Sequence, residues 1–429
     1  MALIDLSYGN RSLPVSFDKD RFSVLLPETE PGHPLTDADI GLALDSPKSG
    51  PALDEAITSD DSVLIVVSDA TRATGSARVV DLLVRRLIQF GVSPANLAVI
   101  FSTGIHREVT AAERDHLLTP FIRQRVRCIN HNASDAAQLT SLGTTKRGTP
   151  VILNSALLQF SKIILTGGIT FHYFAGFTGG RKSICPGLAG ADTISATHML
   201  ALDFQQGGRR ANVGPGILDG NAVHEECEEV AEFVQPIFGI NTIVDEKNEI
   251  LAMFCGDWRL AHRMACDSYL ESHSLQISEK RDIVLVSCGG SPYDINLIQA
   301  HKALEMASYA CNVGGYIILI ADCNDGLGRS DFLKWFSVGD SKSLEHHLRE
   351  LYEVNGQTAW SLLTKAERFQ VYLVSSLDPE QVSKMGMRPA ASIDEAMATV
   401  PTRSTGFVMP RGTSYLPRLM FSGSEKLRA

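Results

Sequence analysis

The sequence predicts an α/β protein made of two doubly wound domains, and two kinds of segment lead to that prediction. Short apolar runs alternate with stretches whose apolar residues recur at helical spacing. In VLIVVSDATR, NLAVIFSTGIHR and SKIILTGGITFHYF, an apolar run leads directly into a polar loop. From residue 278 onward the alternation begins again with RDIVLVSCGG. Such alternation is typical of parallel sheets that are covered by helices on both faces.

The first elements can be assigned from local patterns. LIDLSYGNRSLPVSF predicts a β-hairpin around Gly9 and Asn10. ARVVDLLVRRLIQFG predicts a helix that ends at Gly91, because glycine commonly follows the last helical turn. GADTISATHMLALD predicts a further helix, with Asp192 near its start.

The second half of the chain follows the same scheme. INLIQAHKALEMASYAC, SLEHHLRELYEV, TAWSLLTKAERF and SIDEAMATV predict helices, while GGYIILIADC and QVYLVSS predict strands. We therefore predict an N-terminal cofactor-binding domain over residues 1–270, a polar linker near 271–280 and a C-terminal domain over 278–402. The tail, about 403–429, is expected to pack back on the first domain. Two α/β domains imply a cleft between them, where we expect the active site.

Composition excludes several classes of protein. The chain has 429 residues, 44% hydrophobic and 21% charged, with a formal net charge of −10, so no basic surface for nucleic acid is expected. The eight cysteines form no C-x-x-C pair, which favours buried thiols in a reducing compartment. No signal peptide and no bilayer-spanning apolar run is recognised, so we expect a cytoplasmic protein that does not contact a membrane.

Potentially reactive side chains follow three of the apolar runs. Asp69 and Arg72 follow the first run, His106 follows the second and His172 follows the third. Because ligands of open α/β sheets bind at the carboxyl ends of the strands, these three loops are predicted to converge on one site. For Asp69, a role as a helix N-cap is the structural alternative.

The segment HYFAGFTGGRKSICPG resembles a phosphate-binding loop but departs from it. The P-loop pattern requires glycine immediately before the lysine, and here Arg181 precedes Lys182. Glycines at 176, 179 and 180 would let the backbone approach a ligand closely, and a desolvated lysine can carry a covalent adduct. The alternatives are a plain turn and a surface lysine.

Two further patterns are candidates for a site. His198 lies on the predicted helix behind the glycine segment and could offer one nitrogen to a metal, although a lone histidine is more often structural. Gln299 and Lys302 are three residues apart on one helical face, which suits either a carboxylate receptor or a solvated surface.

Taken together, SDATR, STGIHR, HYFAGFTGGRKSICPG, THMLALD and QAHKALE resemble, in order and spacing, the nickel-pincer-nucleotide-dependent lactate racemase family. The resemblance covers nearly the whole chain. It implies an isomerase, a racemase or epimerase that inverts C2 of a 2-hydroxyacid by transient hydride transfer to a tethered pyridinium nucleotide. It also implies partners: a small 2-hydroxyacid and the enzymes that mature the cofactor, while a homo-oligomer is left open.

The resemblance also assigns roles to residues at the matching positions. The cofactor would be a pyridinium-3-thioamide-5-thiocarboxylate mononucleotide with nickel, covalently linked to Lys182 and absent from protein that is made without the maturation enzymes. His198 would bind the nickel, and His106 and His172 would be the two catalytic bases. The remaining cofactor contacts would be Asp69, Arg72, Gly176, Thr178, Gly179, Gly180 and Trp360. The substrate carboxylate would be held by Arg72, Gln299 and Lys302.

One position departs from the family pattern, and two rival functions are considered. A tyrosine is expected before the glutamine in lactate-specific members, and Ile298 stands there, which weakens lactate as the substrate.

A nicotinamide-type dehydrogenase is disfavoured, because no G-x-G-x-x-G follows an early strand. A non-catalytic cofactor-binding paralogue is disfavoured because all matched catalytic positions are filled.

Overall fold

The computed structural model describes residues 1–27 and 32–420, and these form two compact units. The N-terminal unit comprises residues 32–201 and 209–271. The C-terminal unit comprises residues 1–27, 202–208 and 272–420.

The secondary structure of the described residues is as follows. The strands are β1 (Ala2–Tyr8), β2 (Arg11–Phe17), β3 (Phe22–Val24), β4 (Val63–Ser68), β5 (Leu97–Ser102), β6 (Arg127–Asn130), β7 (Leu139–Thr144), β8 (Pro150–Asn154), β9 (Lys162–Gly168), β10 (Phe171–His172), β11 (Gly176–Phe177), β12 (Phe238–Val244), β13 (Ile250–Gly256), β14 (Ser274–Ile277), β15 (Arg281–Ser287), β16 (Cys311–Ile320), β17 (Gln370–Val374), β18 (Arg388–Ala390), β19 (Gly406–Met409) and β20 (Leu416–Leu419). The α-helices are α1 (Asp37–Asp45), α2 (Leu53–Ala56), α3 (Ser76–Gln89), α4 (Ala111–Leu117), α5 (Pro120–Arg125), α6 (Ala191–Met199), α7 (Ala222–Glu232), α8 (Trp258–His273), α9 (Leu297–Ala310), α10 (Ser341–Glu350), α11 (Val354–Arg368), α12 (Pro379–Lys384) and α13 (Ile393–Ala398).

The N-terminal unit is built on a six-stranded sheet in the order β13-β12-β9-β4-β5-β6. All neighbouring strands are parallel except β12 and β13. The chain runs outward from β4 to β6 and then continues at β9 on the other side of β4, which confirms the doubly wound prediction. The apolar residues of β4 are fully buried, as expected for a parallel strand with both faces covered. Because β9, β4 and β5 are neighbours, the loops that follow them lie side by side at one edge of the sheet.

The C-terminal unit contains a second six-stranded sheet, in the order β18-β17-β16-β15-β19-β3. Every pair in it is parallel. The predicted N-terminal hairpin is present as β1 and β2, with Tyr8 paired with Arg11 across the turn. Its side chains Leu6 and Phe17 belong to the same hydrophobic core as Ile283 of β15.

The structure corrects the predicted domain boundaries. Residues 1–27 were assigned to the first domain, yet β3 pairs with β19 in the C-terminal sheet, and residues 202–208 also belong to that unit. The tail was predicted to pack on the first domain, but it supplies β19 between β15 and β3, and β20 beside β14. Residues 421–429 of that tail lie outside the described residues. The linker near 271–280 contains β14. The backbone groups of a short apolar strand need hydrogen-bond partners on a neighbouring strand, and its local sequence does not specify which sheet provides them.

A helix that crosses a bilayer must be both long and apolar. Among residues 1–27 and 32–420, no helix has both properties.

A buried histidine braces the loop that follows β5. His131 is fully buried, with Nε2 3.1 Å from the carbonyl oxygen of Ala189 and Nδ1 3.0 Å from the side-chain nitrogen of Asn154. Its own carbonyl accepts a hydrogen bond from the hydroxyl of Thr103, at 3.0 Å. Since the amide nitrogen of Asn154 can only donate, Nδ1 accepts and the ring proton lies on Nε2. Burial lowers the pKa of His131 to about 4.

We expect the N-terminal unit to lose stability as the pH falls from about 6.5 toward 4, in part because of His131. Its folded pKa of about 4 lies below the ordinary value of 6.5, so the unfolded chain binds more protons in this window. Above pH 6.5 the contribution of His131 to the free energy of unfolding is constant. Between pH 6.5 and 4, each pH unit removes about 1.4 kcal/mol of that contribution. Urea-unfolding midpoints measured between pH 6.5 and 4 give the slope of stability against pH.

Two variants distinguish the effect of His131 on the pH dependence of stability from that of an exposed histidine. His131→Gln should reduce the slope, whereas His346→Gln should leave it unchanged, because His346 is an exposed residue of α10. Equal slopes in His131→Gln and the parent protein would contradict the prediction.

Candidate active site

Asp69 and His106 form a hydrogen-bonded pair just beyond the ends of β4 and β5. His106 Nδ1 lies 2.7 Å from Asp69 Oδ2. Asp69 Oδ1 accepts hydrogen bonds from the backbone N–H and the hydroxyl of Thr71, at 3.0 and 2.5 Å. Burial raises the pKa of Asp69, but hydrogen bonding and charge from His106, with help from Thr71 and Arg72, outweigh burial and lower it below its usual value. The ionised carboxylate therefore accepts the Nδ1–H of His106, which leaves a lone pair on Nε2.

The exposure of the two side chains fits a base and the group that orients it. Asp69 is 7% exposed and His106 is 49% exposed. A buried carboxylate behind an accessible imidazole fixes the tautomer and the direction of the ring. The alternative reading of Asp69 as a helix cap is wrong, because α3 begins after Gly75.

The glycine segment after β11 has a backbone that requires glycine. Its left-handed φ angles are +78°, +76° and +49°, at Gly176, Gly179 and Gly180 respectively. A Cβ on Gly176 would lie 2.1 Å from the carbonyl oxygen of Ile217, and one on Gly180 would lie 2.6 Å from the ring of His262. Backbone conformation and packing therefore explain these glycines without a ligand, and their contact with a phosphate stays a prediction.

Thr178 ties this segment to the end of β9. Its hydroxyl donates to the carbonyl oxygen of Gly168 at 2.7 Å and accepts from the backbone N–H of Thr170 at 2.8 Å. The hydroxyl is thus engaged within the protein, and its predicted contact with the cofactor stays untested.

Arg181 lies in the core beneath the turn. It is fully buried, with Nη1 2.7 Å from His262 Nε2 and Nη2 donating to the carbonyl oxygen of Ala175 at 2.7 Å. No carboxylate forms an ion pair with it among the residues that the structure describes. Burial lowers the pKa of Arg181, although a guanidinium stays charged in proteins. The turn therefore rests on a buried positive charge.

Lys182 and His172 face each other within hydrogen-bonding distance. Lys182 Nζ lies 3.2 Å from His172 Nε2 and 5.5 Å from the ring centroid of Phe174. The backbone N–H of Ala175 donates to His172 Nδ1 at 3.2 Å, so the ring proton of a neutral His172 lies on Nε2. Burial, followed by the charges of Arg181 and Arg72, lowers the pKa of Lys182 to about 7.

His198 lies on α6, the helix that the sequence predicted, and its side chain is buried. Its ring packs edge-on against Phe174, with centroids 4.9 Å apart, and Nδ1 lies 3.3 Å from the hydroxyl of Thr197. Burial, and then the charge of Lys182, lowers the pKa of His198 to about 3. The imidazole is therefore neutral at physiological pH, which is the form that binds metals. Among residues 1–27 and 32–420, no three side chains of His, Cys, Asp or Glu are grouped to hold a metal ion.

The remaining predicted residues lie in the C-terminal unit. Lys302 Nζ donates to Gln299 Oε1 at 2.6 Å, which confirms that the two side chains share one face of α9. Trp360 lies on α11 and lines a cavity of about 560 Å³ together with α10 and residues 204–208. The structure does not test the predicted roles of these three residues.

Sequence reasoning missed the residues that hold the turn from within the core. Asn241 of β12 accepts the backbone N–H of Gly180 at 3.0 Å, and His262 contacts Arg181. Arg181 could have been suspected, because it replaces the glycine of the phosphate-loop pattern. Asn241 and His262 have no local signal.

Comparison with known proteins gives a consistent result. Family profiles described as the Lactate racemase N-terminal domain and the Lactate racemase C-terminal domain match residues 8–208 and 277–407. The chain is 30% identical to the lactate racemase of Lactiplantibacillus plantarum over 409 residues, which is 92% of this chain and 94% of that protein. It is 27% identical to the lactate racemase of Thermoanaerobacterium thermosaccharolyticum over 433 residues, covering 97% and 100% of the two chains.

Solved structures agree with the fold. The lactate racemase apoprotein from Thermoanaerobacterium thermosaccharolyticum matches with a TM-score of 0.89 and 26% identity, over 97% of this chain and 100% of that chain. A protein from Thermotoga maritima matches with a TM-score of 0.67 at 20% identity, over 91% and 100%, and supports the fold alone.

Replacing Asp69 should release the tautomer of His106. In Asp69→Asn the carboxylate acceptor is lost, so we expect the proton of His106 to shift from Nδ1 toward the Nε2–H form that free imidazole prefers. Two-bond ¹H–¹⁵N correlation spectra of ¹⁵N-histidine-labelled protein report the tautomer.

Thr71→Val is the matched control, because Thr71 contacts the other carboxylate oxygen. It should retain the Nδ1–H form of His106. The same tautomer in parent protein and Asp69→Asn would show that Asp69 does not orient His106.

Proposed function

Since this chain belongs to the lactate racemase family, we propose that it inverts C2 of a 2-hydroxyacid with a nickel-pincer nucleotide tethered to Lys182. Membership of the family makes the enzyme a racemase, which is an isomerase. The observation that best supports the finer proposal is the complementary state of two histidines: His106 presents a lone pair on Nε2, whereas His172 presents an N–H on Nε2.

The residues present fit the proposed cofactor. His198 offers one neutral nitrogen, and the absence of a grouped set of three ligands among the described residues means that a nickel ion would need further ligand atoms from the cofactor. The half-buried amine of Lys182, with a pKa near 7, suits a covalent link. Arg72 is exposed beyond β4 and is available for a phosphate or a carboxylate.

The two histidines explain how one site can treat both enantiomers. When bound, the cofactor would supply a reversible acceptor for the C2 hydride. His106 would take the hydroxyl proton of one enantiomer at Nε2, and His172 would supply the proton that rebuilds the hydroxyl of the other from its imidazolium form, because a neutral imidazole would be left as an anion. In the reverse direction the two roles exchange. Asp69 would stabilise the His106 cation after it accepts the proton.

Recognition of the substrate would come from the carboxylate. Lys302 supplies a positive charge, and Gln299 supplies an amide that is already aligned with it by their hydrogen bond. A paired amide and ammonium would orient a carboxylate, and orientation of the reacting C2 is a main source of rate enhancement.

The tether and the nickel ligand can be tested together. In protein produced alongside the maturation enzymes, a peptide containing Lys182 should carry the mass of the cofactor. His198→Ala should lower the nickel content, because it removes the one protein ligand. His106→Ala should retain nickel and lose about 10²- to 10⁴-fold in kcat, as expected for loss of a general base.

Two results would contradict this assignment. Unmodified Lys182 in active, nickel-loaded protein would exclude the tether. Equal nickel loss in His198→Ala and His106→Ala would mean that the roles of the two histidines are wrongly assigned.

We expect the best substrate to be larger than lactate. Ile298 lies on α9 next to Gln299, at the position where a tyrosine is expected in lactate-specific members. Isoleucine removes a hydrogen-bond donor and adds apolar surface. A small substrate with few other contacts should therefore gain the least binding from that surface. The measurement is kcat/KM of the loaded enzyme for lactate, malate, phenyllactate, 2-hydroxyisovalerate and gluconate. A tenfold lead for lactate, about 1.4 kcal/mol in transition-state preference, would show that Ile298 does not select against it.

A further inference from the structure

The hydrogen bond between His172 and Lys182 has a defined direction, with His172 as the donor. His172 Nδ1 is occupied by the N–H of Ala175, at 3.2 Å, so the ring directs its own N–H from Nε2 toward Lys182 Nζ, 3.2 Å away. A neutral amine can accept that hydrogen bond through its lone pair, whereas an ammonium has no acceptor. The contact therefore favours the uncharged form of Lys182.

The net effect of the surroundings of the amine is in the same direction. Lys182 is half-buried and lies beside the ring of Phe174. The titratable and charged groups around it come from several elements and comprise Arg72, His172, Arg181, Cys185, His198 and Cys227. Burial has the largest effect and the two arginines oppose a second positive charge, whereas Cys227 and Cys185 act in the opposite direction, and the net effect lowers the pKa of Lys182.

We propose that His172 and Lys182 form a preorganised pair that holds Lys182 as an uncharged nucleophile, so that the chain itself drives the attachment of its cofactor. This proposal rests on the proposed function, because it concerns the same tether. It assigns His172 a role that precedes any turnover of substrate, namely the positioning of the amine.

The electrophile would be a carbon of the thiocarboxylic acid class. Lys182 Nζ forms the new C–N bond and loses one proton, and the C–O bond of the thiocarboxyl group breaks. The oxygen leaves as water with that proton and the proton of the thioacid, which gives a thioamide. No oxidant or reductant is needed. An ammonium could not form this bond, which is why the uncharged state matters.

Attachment would also change His172. The nitrogen of a thioamide does not accept hydrogen bonds as an amine does, so the hydrogen bond from His172 Nε2–H to Lys182 Nζ would be lost. The backbone N–H of Ala175 still holds Nδ1 as the acceptor. His172 would then keep the protonated Nε2 that a proton donor to the substrate requires.

The reactivity of Lys182 in the full-length chain without cofactor tests this pair directly. Brief acetylation with acetic anhydride at a series of pH values, followed by peptide mass spectrometry, gives the pH midpoint for Lys182 and for exposed Lys247 in the same sample. The midpoint is used because limited access of the reagent changes the rate but not the midpoint. We expect Lys182 to have its midpoint near pH 7, where its uncharged fraction is roughly a thousandfold that of an ordinary lysine.

The variants separate His172 from its surroundings. His172→Ala removes the N–H donor and admits water, and both changes favour the ammonium, so modification at pH 7 should fall by about tenfold or more. His106→Ala is the matched control, because His106 contacts Asp69, and should not move the midpoint of Lys182. In protein produced alongside the maturation enzymes, His172→Ala should also lower the fraction of Lys182 that carries the cofactor.

The possible outcomes separate this proposal from the proposed function. A midpoint for Lys182 equal to that of Lys247, or one that His172→Ala leaves unmoved, would overturn the pair even where the tether is found. A low midpoint that rises in His172→Ala would support the pair, and the pair would then stand even if no cofactor is found on Lys182.

Discussion

The burial of Arg181 is the constraint on which the candidate site depends. A guanidinium in the core needs acceptors, and here it takes the carbonyl oxygen of Ala175 and the ring of His262. These contacts fix the turn immediately before Lys182. They also place a permanent positive charge beside an amine that is already desolvated, and burial together with that charge lowers the pKa of Lys182 to about 7. A glycine at this position, as in the phosphate-loop pattern, would supply neither contact.

The sheet of the N-terminal unit then determines what the turn meets. Because β9, β4 and β5 are adjacent and parallel, the loops bearing His172, Asp69 and His106 start from the same edge. Within that edge the protein uses two different partners to set two tautomers. A carboxylate takes the Nδ1–H of His106, whereas a backbone N–H donates to Nδ1 of His172. Two chemically identical side chains thereby present opposite proton states at Nε2.

Rigidity in this region comes from buried polar groups that form hydrogen bonds within the protein. His131 braces the loop before His106, and Asn241 holds the turn through Gly180. The hydroxyl of Thr178 ties the same segment to β9. Each is a buried polar group that forms at least one hydrogen bond within the protein, so each would be costly to disturb. The reactive side chains are thus supported by a polar network that is formed without any ligand.

The sequence alone determined the elements and the loops that matter. Apolar runs ending in polar residues predicted β4, β5 and β9 with their reactive ends, and helical spacing predicted that Gln299 and Lys302 share a face, because these patterns depend only on neighbours in the chain. The tertiary structure decided the rest. Strands β3 and β19 joined the C-terminal sheet and the hairpin packed on the same core, although their local sequence fits either sheet. The tautomers of His106 and His172, the burial of Arg181 and the lowered pKa of Lys182 depend on groups from other strands and turns, since desolvation and hydrogen bonding are set by long-range contacts.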